Sequence, residues 1–252
     1  MSSKELEGRI ALVTGGARGI GRATCVRLAH EGASVAINYA QNEAAAREAE
    51  RLVKAEGAGC MTVQADVSDP GAVAAMVAKV EKALGPIDLL VTSAGIAPHE
   101  SRGQVTFEEW RRTMAVNLDG TFLPIMAVKD GMIARGFGRI VCFASIAGLR
   151  PRAAMLAYGT SKAGVVAFAR NCSEAFAPQI RINTIAPGLI DTDMPAASLD
   201  AATRQRMIDA TPLKRIGRPE EMAELALFLL SERSSYTTGQ CYVADGGRAT
   251  LP

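Results

Sequence analysis

Tyr158 and Lys162, in Tyr158-Gly159-Thr160-Ser161-Lys162, place a phenol and an ammonium four residues apart. On a helix, positions i and i+4 share a face, so the two groups can sit side by side. Tyrosine titrates near ~10, too high for an efficient base at neutral pH. A neighbouring cation favours the phenolate and lowers that value toward the working range. Ser145 follows the apolar run Ile140, Val141 and Phe143 at the end of a predicted strand. A hydroxyl there can donate to a carbonyl oxygen as negative charge develops on it. Alone, a Tyr/Lys helical pair is usually a surface pair and a strand-end serine a turn residue. Together they suit proton transfer at a carbonyl or alcohol oxygen.

A second group of residues suits a dinucleotide. Thr14-Gly15-Gly16-Ala17-Arg18-Gly19-Ile20-Gly21 follows the first predicted strand and leads into a helix. Glycines there permit a tight turn, close approach of backbone to pyrophosphate and close helix–strand packing. The helix start adds free N–H groups and a favourable dipole. An acid ending the second strand would favour NAD by binding a free ribose 2′-hydroxyl. That strand instead ends Val35-Ala36-Ile37-Asn38-Tyr39, with no carboxylate before Glu43. Arg18, inside the glycine turn, can reach a 2′-phosphate, so NADP(H) is expected.

The elements that must position these groups are legible from apolar periodicity. Ile10–Val13, Ser34–Asn38, Cys60–Gln64, Asp88–Thr92, Arg139–Ala144, Arg181–Ile185 and Gln240–Val243 read as strands, apolar without strict alternation. Helical segments lie between them. Ser68-Asp69-Pro70 opens one, Thr106 to Glu109 has capping-box spacing, and Arg218-Pro219-Glu220-Glu221 opens another. This alternation predicts one α/β domain over residues 1–252: a Rossmann-type, doubly wound parallel sheet with helices on both faces. Ligands then lie outside the carboxyl ends of the strands. The irregular stretch 188–212 is expected to be a substrate lid.

Apolar residues at 48% and charged residues at 21% suit a well-buried core, and a net charge of +2 argues against nucleic acid as a partner. Five scattered cysteines and two distant histidines offer no zinc spacing, so no metal is expected. Reduced thiols and the absence of an apolar run near the ~20 residues needed to span a bilayer point to a cytoplasmic protein with no membrane partner.

The glycine turn, the strand-end serine and the Tyr158/Lys162 pair, in this order, resemble the short-chain dehydrogenase/reductase family over nearly the whole chain. The resemblance implies further site residues. Asp66-Val67 matches the family's adenine-binding pair, and Asn117 its helix asparagine, which would anchor a proton-relaying water. Pro187-Gly188, Ile190 and Thr192 match the segment that holds the nicotinamide carboxamide, and Gln240–Gly247 the closing strand and turn. On this pattern Gly15, Arg18, Gly19, Ile20, Gly21, Asn38, Asp66, Val67, Ala94, Gly95, Tyr158, Lys162 and the 187–192 segment hold the cofactor. Ser145, Tyr158, Lys162 and Asn117 carry the chemistry: Tyr158 protonates the oxygen, Ser145 orients it, and Lys162 tunes the phenol and holds the ribose. One departure is Thr92-Ser93 before Ala94-Gly95, where the family often has two asparagines.

Within the family the chain is most similar to 3-oxoacyl-[acyl carrier protein] reductases, through Asn38–Glu43, Ala186–Met194 and Ile216–Glu221. That group docks its acidic carrier protein with arginines at two helix ends. Here those places read Gly136 beside Arg135, and Ala177-Pro178-Gln179. The expected substrate is a ketone or secondary alcohol, with a 3-oxoacyl thioester among the candidates; Ile96, Ile146, Leu149, Met155, Leu189 and Met194 suggest a hydrophobic ketone or acyl chain, with His99 in reach. An alcohol, polyol or sugar dehydrogenase is the alternative. A non-catalytic cofactor sensor would dispense with Tyr158 or Lys162, and both are present. Family likeness, with Ala163, Val165, Val166 and Ala169 as spare small or apolar positions on the Tyr158 helix, predicts a homotetramer.

Overall fold

Seven strands form one sheet whose every pairing is parallel, in the order β3-β2-β1-β4-β5-β6-β7. They are β1 (Ile10–Thr14), β2 (Ser34–Tyr39), β3 (Cys60–Gln64), β4 (Leu89–Thr92), β5 (Gly138–Phe143), β6 (Ile180–Pro187) and β7 (Cys241–Ala244). The structure is a computed structural model and describes residues 4–98, 104–193 and 200–249. The strand order reverses between β1 and β4, which opens a crevice at their carboxyl ends. Each expected strand is present, with ends shifted by two residues at most.

Helices cover both faces: α1 (Gly19–His30), α2 (Glu43–Ala55), α3 (Pro70–Leu84), α4 (Phe107–Met114), α5 (Gly120–Arg135), α6 (Leu156–Ala175), α7 (Ala201–Asp209) and α8 (Pro219–Leu230). Their starts follow local chemistry. Asp69 accepts from the Ala72 amide at 2.9 Å with Pro70 next to it, and Thr106 and Glu109 cap each other reciprocally. Glu221 accepts from the Arg218 amide at 2.8 Å to open α8. Two apolar clusters fill the faces. One packs α3, α5 and α6 side chains such as Met76, Met132 and Val165 on the sheet; the other packs Leu28, Val53 and Leu227 of α1, α2 and α8. Central strands β1 and β4 are buried along their whole length, which makes them a stiff base for the loops they carry.

Two expectations are corrected. The 188–212 stretch is not all irregular, because α7 occupies Ala201–Asp209 with Asp200 capping the Thr203 amide at 2.7 Å. None of its side chains is buried, so it shows no apolar stripe to read. On α6, Val165, Val166 and Ala169 are buried in the chain's own core, and of the four positions named only Ala163 is exposed. The apolar surface lies beside them instead, on Leu156, Phe122 and Phe107, which are exposed by 43%, 41% and 74%.

Candidate active site

The glycine turn joins β1 to α1 and is packed from below. Asn38 accepts from the Gly15 amide at 3.3 Å and donates to the Ala65 carbonyl at 3.0 Å, tying β1, β2 and β3 together. Its side chain is 1% exposed, so the expected direct contact of Asn38 with cofactor is corrected: it braces the turn from inside. A Cβ on Gly15 would lie 2.7 Å from the Ala94 Cα, and Gly19 adopts φ +53° beneath the Thr192 methyl. Both positions therefore exclude other residues. Arg18 precedes α1 without capping it, so the first amides of that helix, at Gly19, Ile20 and Gly21, have no side-chain acceptor. Such orphan donors and the positive helix end form an anion cradle. The dinucleotide pyrophosphate fits it.

Arg18 is exposed and pairs with Asp193 at 3.5 Å. Glu43, the first carboxylate after β2, is held by Arg47 at 2.6 Å. Asp66 is exposed; the Ser68 hydroxyl and amide bond it and hold its carboxyl below the usual range. Val67 is buried against Gly120. Ile190 turns its side chain into the core, which leaves its backbone to face a cofactor. Ile20 likewise packs on the core and offers its amide. Pro187 and Gly188 end β6 beside the Asp245 turn. Met194 and His99 lie outside the described residues.

The reactive groups converge at the crevice from three elements. Ser145 lies two residues beyond Phe143 at the end of β5, and its Oγ accepts from the Ala147 amide at 3.1 Å. Tyr158 and Lys162 both lie in α6, with the ammonium 5.9 Å from the phenol ring centre. Tyr158 shares a hydrogen bond with Ser145. Lys162 is buried and donates to the Phe143 carbonyl at 2.9 Å. A Cβ on Gly95 would meet Asn117 Oδ1 at 3.2 Å and Lys162 Nζ at 3.5 Å, so these groups share one wall.

The electrostatics differ from the expectation in one respect. Burial raises the Tyr158 pKa, and the Ser145 bond opposes that shift in part. Lys162 is itself pushed down to about 8 by burial. Desolvation outweighs the Ser145 hydrogen bond, so the shift favours the neutral phenol, suited to donating a proton.

Asn117 sits in a π-helical turn, Ala115–Asp119, that no sequence pattern revealed. Its Oδ1 accepts from the Ile96 amide at 2.8 Å, and its Nδ2 donates to the Ile96 carbonyl and to Ser161 Oγ, each at 3.0 Å. Both amide hydrogens are thus engaged within the protein. Ser161 Oγ in turn donates to the Tyr158 carbonyl at 2.7 Å. Ser161 was legible only as a residue inside the Tyr–Lys spacing, yet it links Asn117 to the Tyr158 backbone. Thr14 was missed too. Its hydroxyl accepts from the Ser93 and Ala94 amides at 3.2 and 3.4 Å.

A sequence model described as Enoyl-(Acyl carrier protein) reductase matches residues 15–249. A short-chain type dehydrogenase/reductase from Mycobacterium marinum superposes with a TM-score of 0.93 at 33% identity, covering 99% of this chain and 98% of that one. The chain belongs to the short-chain dehydrogenase/reductase family. It is therefore an oxidoreductase that acts on a carbonyl or its alcohol with a nicotinamide cofactor. It is similar to the acetoacetyl-CoA reductase of Rhizobium meliloti (strain 1021), at 38% identity over 95% of this chain and 98% of the relative. It is also similar to the 3-oxoacyl-[acyl-carrier-protein] reductase of Aquifex aeolicus (strain VF5), at 34% identity over 96% and 98%. The Thr14 hydroxyl braces the end of β4 from β1 through the backbone amides of Ser93 and Ala94. Among the described residues, no helix is long and apolar enough to cross a membrane, and no cluster of His, Cys, Asp or Glu is placed to hold a metal.

Proposed function

We propose that this chain is a cytoplasmic, homotetrameric, NADP(H)-dependent reductase of small 3-oxoacyl thioesters, with Tyr158 as its acid–base. The observation that carries the reading is the Ser145–Tyr158 hydrogen bond, set beside Lys162 where the sheet's crevice opens. The nicotinamide, when bound, supplies or takes up the hydride. Ser145 orients the substrate oxygen by donating to it, and Tyr158 delivers the phenolic proton there as charge develops. Lys162 would hold the nicotinamide ribose, and its charge favours the phenolate that remains. Asn117 acts by holding the Tyr158 turn and the Gly95 strand end. Gly15, Ala94, Gly95 and the α1 amides would hold the dinucleotide, with Thr192 beside Gly19.

Arg18 beside a strand end without a free carboxylate supports NADP(H) over NAD(H). Gly136 and Ala177-Pro178-Gln179, where the carrier-protein enzymes place arginines, support a small thioester over a carrier-protein one. The acetoacetyl-CoA reductase likeness agrees. NADPH consumption against ketones, acyl thioesters and sugars tests the assignment. Fastest turnover on a 3-oxoacyl thioester is expected, and a sugar or polyol preference would replace it.

A further inference from the structure

Three arginines meet at the rim of the candidate site. Arg150 and Arg152 lie in the loop between Ser145 and Tyr158, and Arg248 follows β7. Arg150 Nη1 donates to the Arg248 carbonyl at 3.3 Å, which joins the loop to the C-terminal turn. That turn touches the cofactor segment at Gly188 through Asp245 and the end of the lid at Pro212 through Gly247. All three side chains are partly buried, and Arg150 Nε, Arg152 Nε and Arg248 Nη1 are buried without a hydrogen-bond partner. Among the described residues, none of the three forms an ion pair. The nearby carboxylate, Asp245, accepts from the backbone amides of Gly247, Arg248 and Ala249.

Partly buried like charges with unsatisfied N–H groups destabilise a fold unless an anion joins them. Burial and repulsion from the neighbouring arginines hold Arg152 and Arg248 below the usual arginine range, and Asp245 opposes the shift at Arg248 only in part. Guanidinium forks match the paired oxygens of carboxylate and phosphate. We propose that Arg150, Arg152 and Arg248 form a subsite for an anionic group carried by the substrate. Ile96, Leu149, Met155 and Leu189 then receive the carbon chain, and the arginines its charged end. The anion is either a phosphate of a thioester's nucleotide carrier or the carboxylate of a free oxo acid. This inference rests on the loop after Ser145 being the substrate wall, as in the proposed function.

The test is calorimetric titration of the NADP+-saturated protein with acetoacetyl-CoA, acetoacetate and neutral ethyl acetoacetate. Wild type is expected to bind at least one anionic ligand more tightly than the ester. In Arg152→Gln and Arg248→Gln the ratio of ester Kd to anion Kd should fall about tenfold, the size of a lost charged hydrogen bond of ~1.4 kcal/mol. Arg152→Lys should keep part of the preference. Arginine dependence confined to acetoacetyl-CoA names phosphate as the anion, and dependence shared by acetoacetate names carboxylate. Should the variants fail to fold, wild type still decides, since its preference for the anion must narrow as salt rises. No preference in wild type, equal losses for all three ligands, or altered subunit assembly without altered discrimination would overturn the proposal. Binding is read here and turnover in the function test, so the two can fail separately.

Discussion

The Lys162 ammonium donates to the Phe143 carbonyl at 2.9 Å, two residues before Ser145, so one buried hydrogen bond fixes the distance between α6 and the end of β5. It also leaves a cation in a desolvated place, where its pKa falls from 10.5 to about 8. Burying that charge weakens the fold at neutral pH. Below pH 8 the folded and unfolded chains are both protonated at this site, and the penalty is fully present. Between about 8 and 10.5 the unfolded chain binds more protons, so stability rises with pH and the penalty fades.

Lys162→Met should therefore abolish turnover while stabilising the cofactor-free protein at pH 7. A gain of about 1 kcal/mol would raise Tm by roughly 2–4 °C for a chain of this size. The gain should shrink as pH approaches 10. Thermal melts at pH 7 and pH 10 check it, and a lower Tm for the variant at pH 7 contradicts the assignment of a burial penalty.

Arg18 is expected to set cofactor choice. Arg18→Ala should weaken NADPH by about 10–100-fold, matching a charge-assisted bond of ~1.5–3 kcal/mol, and leave NADH nearly unchanged. Its exposed pairing with Asp193 is worth ~0–1 kcal/mol, so Asp193→Asn should tighten NADPH slightly by freeing the guanidinium. Fluorescence titration of both cofactors decides, and tighter NADH than NADPH in wild type would sink the reading.

The Asn117–Ser161 bond predicts a measurable coupling. Asn117→Ala strands the Ile96 amide and carbonyl and should cost about 2–3 kcal/mol, while Ser161→Ala should cost about 1 kcal/mol. A double-mutant cycle by denaturant unfolding should return a coupling near ~1 kcal/mol. Strict additivity would mean that the two side chains act independently.

How much of this was legible in the sequence follows from the range of the interactions involved. The strands were readable because each is a continuous apolar run, and Asp69-Pro70 and Thr106–Glu109 because caps act within three residues. Ser145, Tyr158 and Lys162 were readable because loop and helix geometry bring them together locally. Asn38 was misread because its inward turn depends on β3, 25 and 27 residues away at Val63 and Ala65. The Thr14 brace crosses 79 and 80 residues to Ser93 and Ala94, beyond any local pattern. Helix α7 was hidden because it buries nothing. The upward push of burial on the Tyr158 phenol was not legible because burial has no signature in spacing.

Assembly is predicted to use the exposed Leu156, Phe122 and Phe107 surface rather than the buried positions of α6. Light scattering should give a tetramer for wild type, and Leu156→Glu with Phe122→Glu should shift it to smaller species by placing charge on that apolar face. A monomeric wild type at micromolar concentration would refute the assembly.

The central claim is that the Tyr158 phenol transfers the proton. Tyr158→Phe keeps the ring and its packing against the Lys162 side of α6 but removes that proton and the bond to Ser145. Steady-state turnover, measured beside NADPH titration with any ketone or thioester the wild type reduces, tests it most directly. Cofactor affinity should be retained, since the glycine turn and Lys162 are untouched, and turnover should fall roughly 10²–10⁴-fold. Near-normal turnover in Tyr158→Phe would contradict the account, and with it the roles given to Ser145 and Lys162.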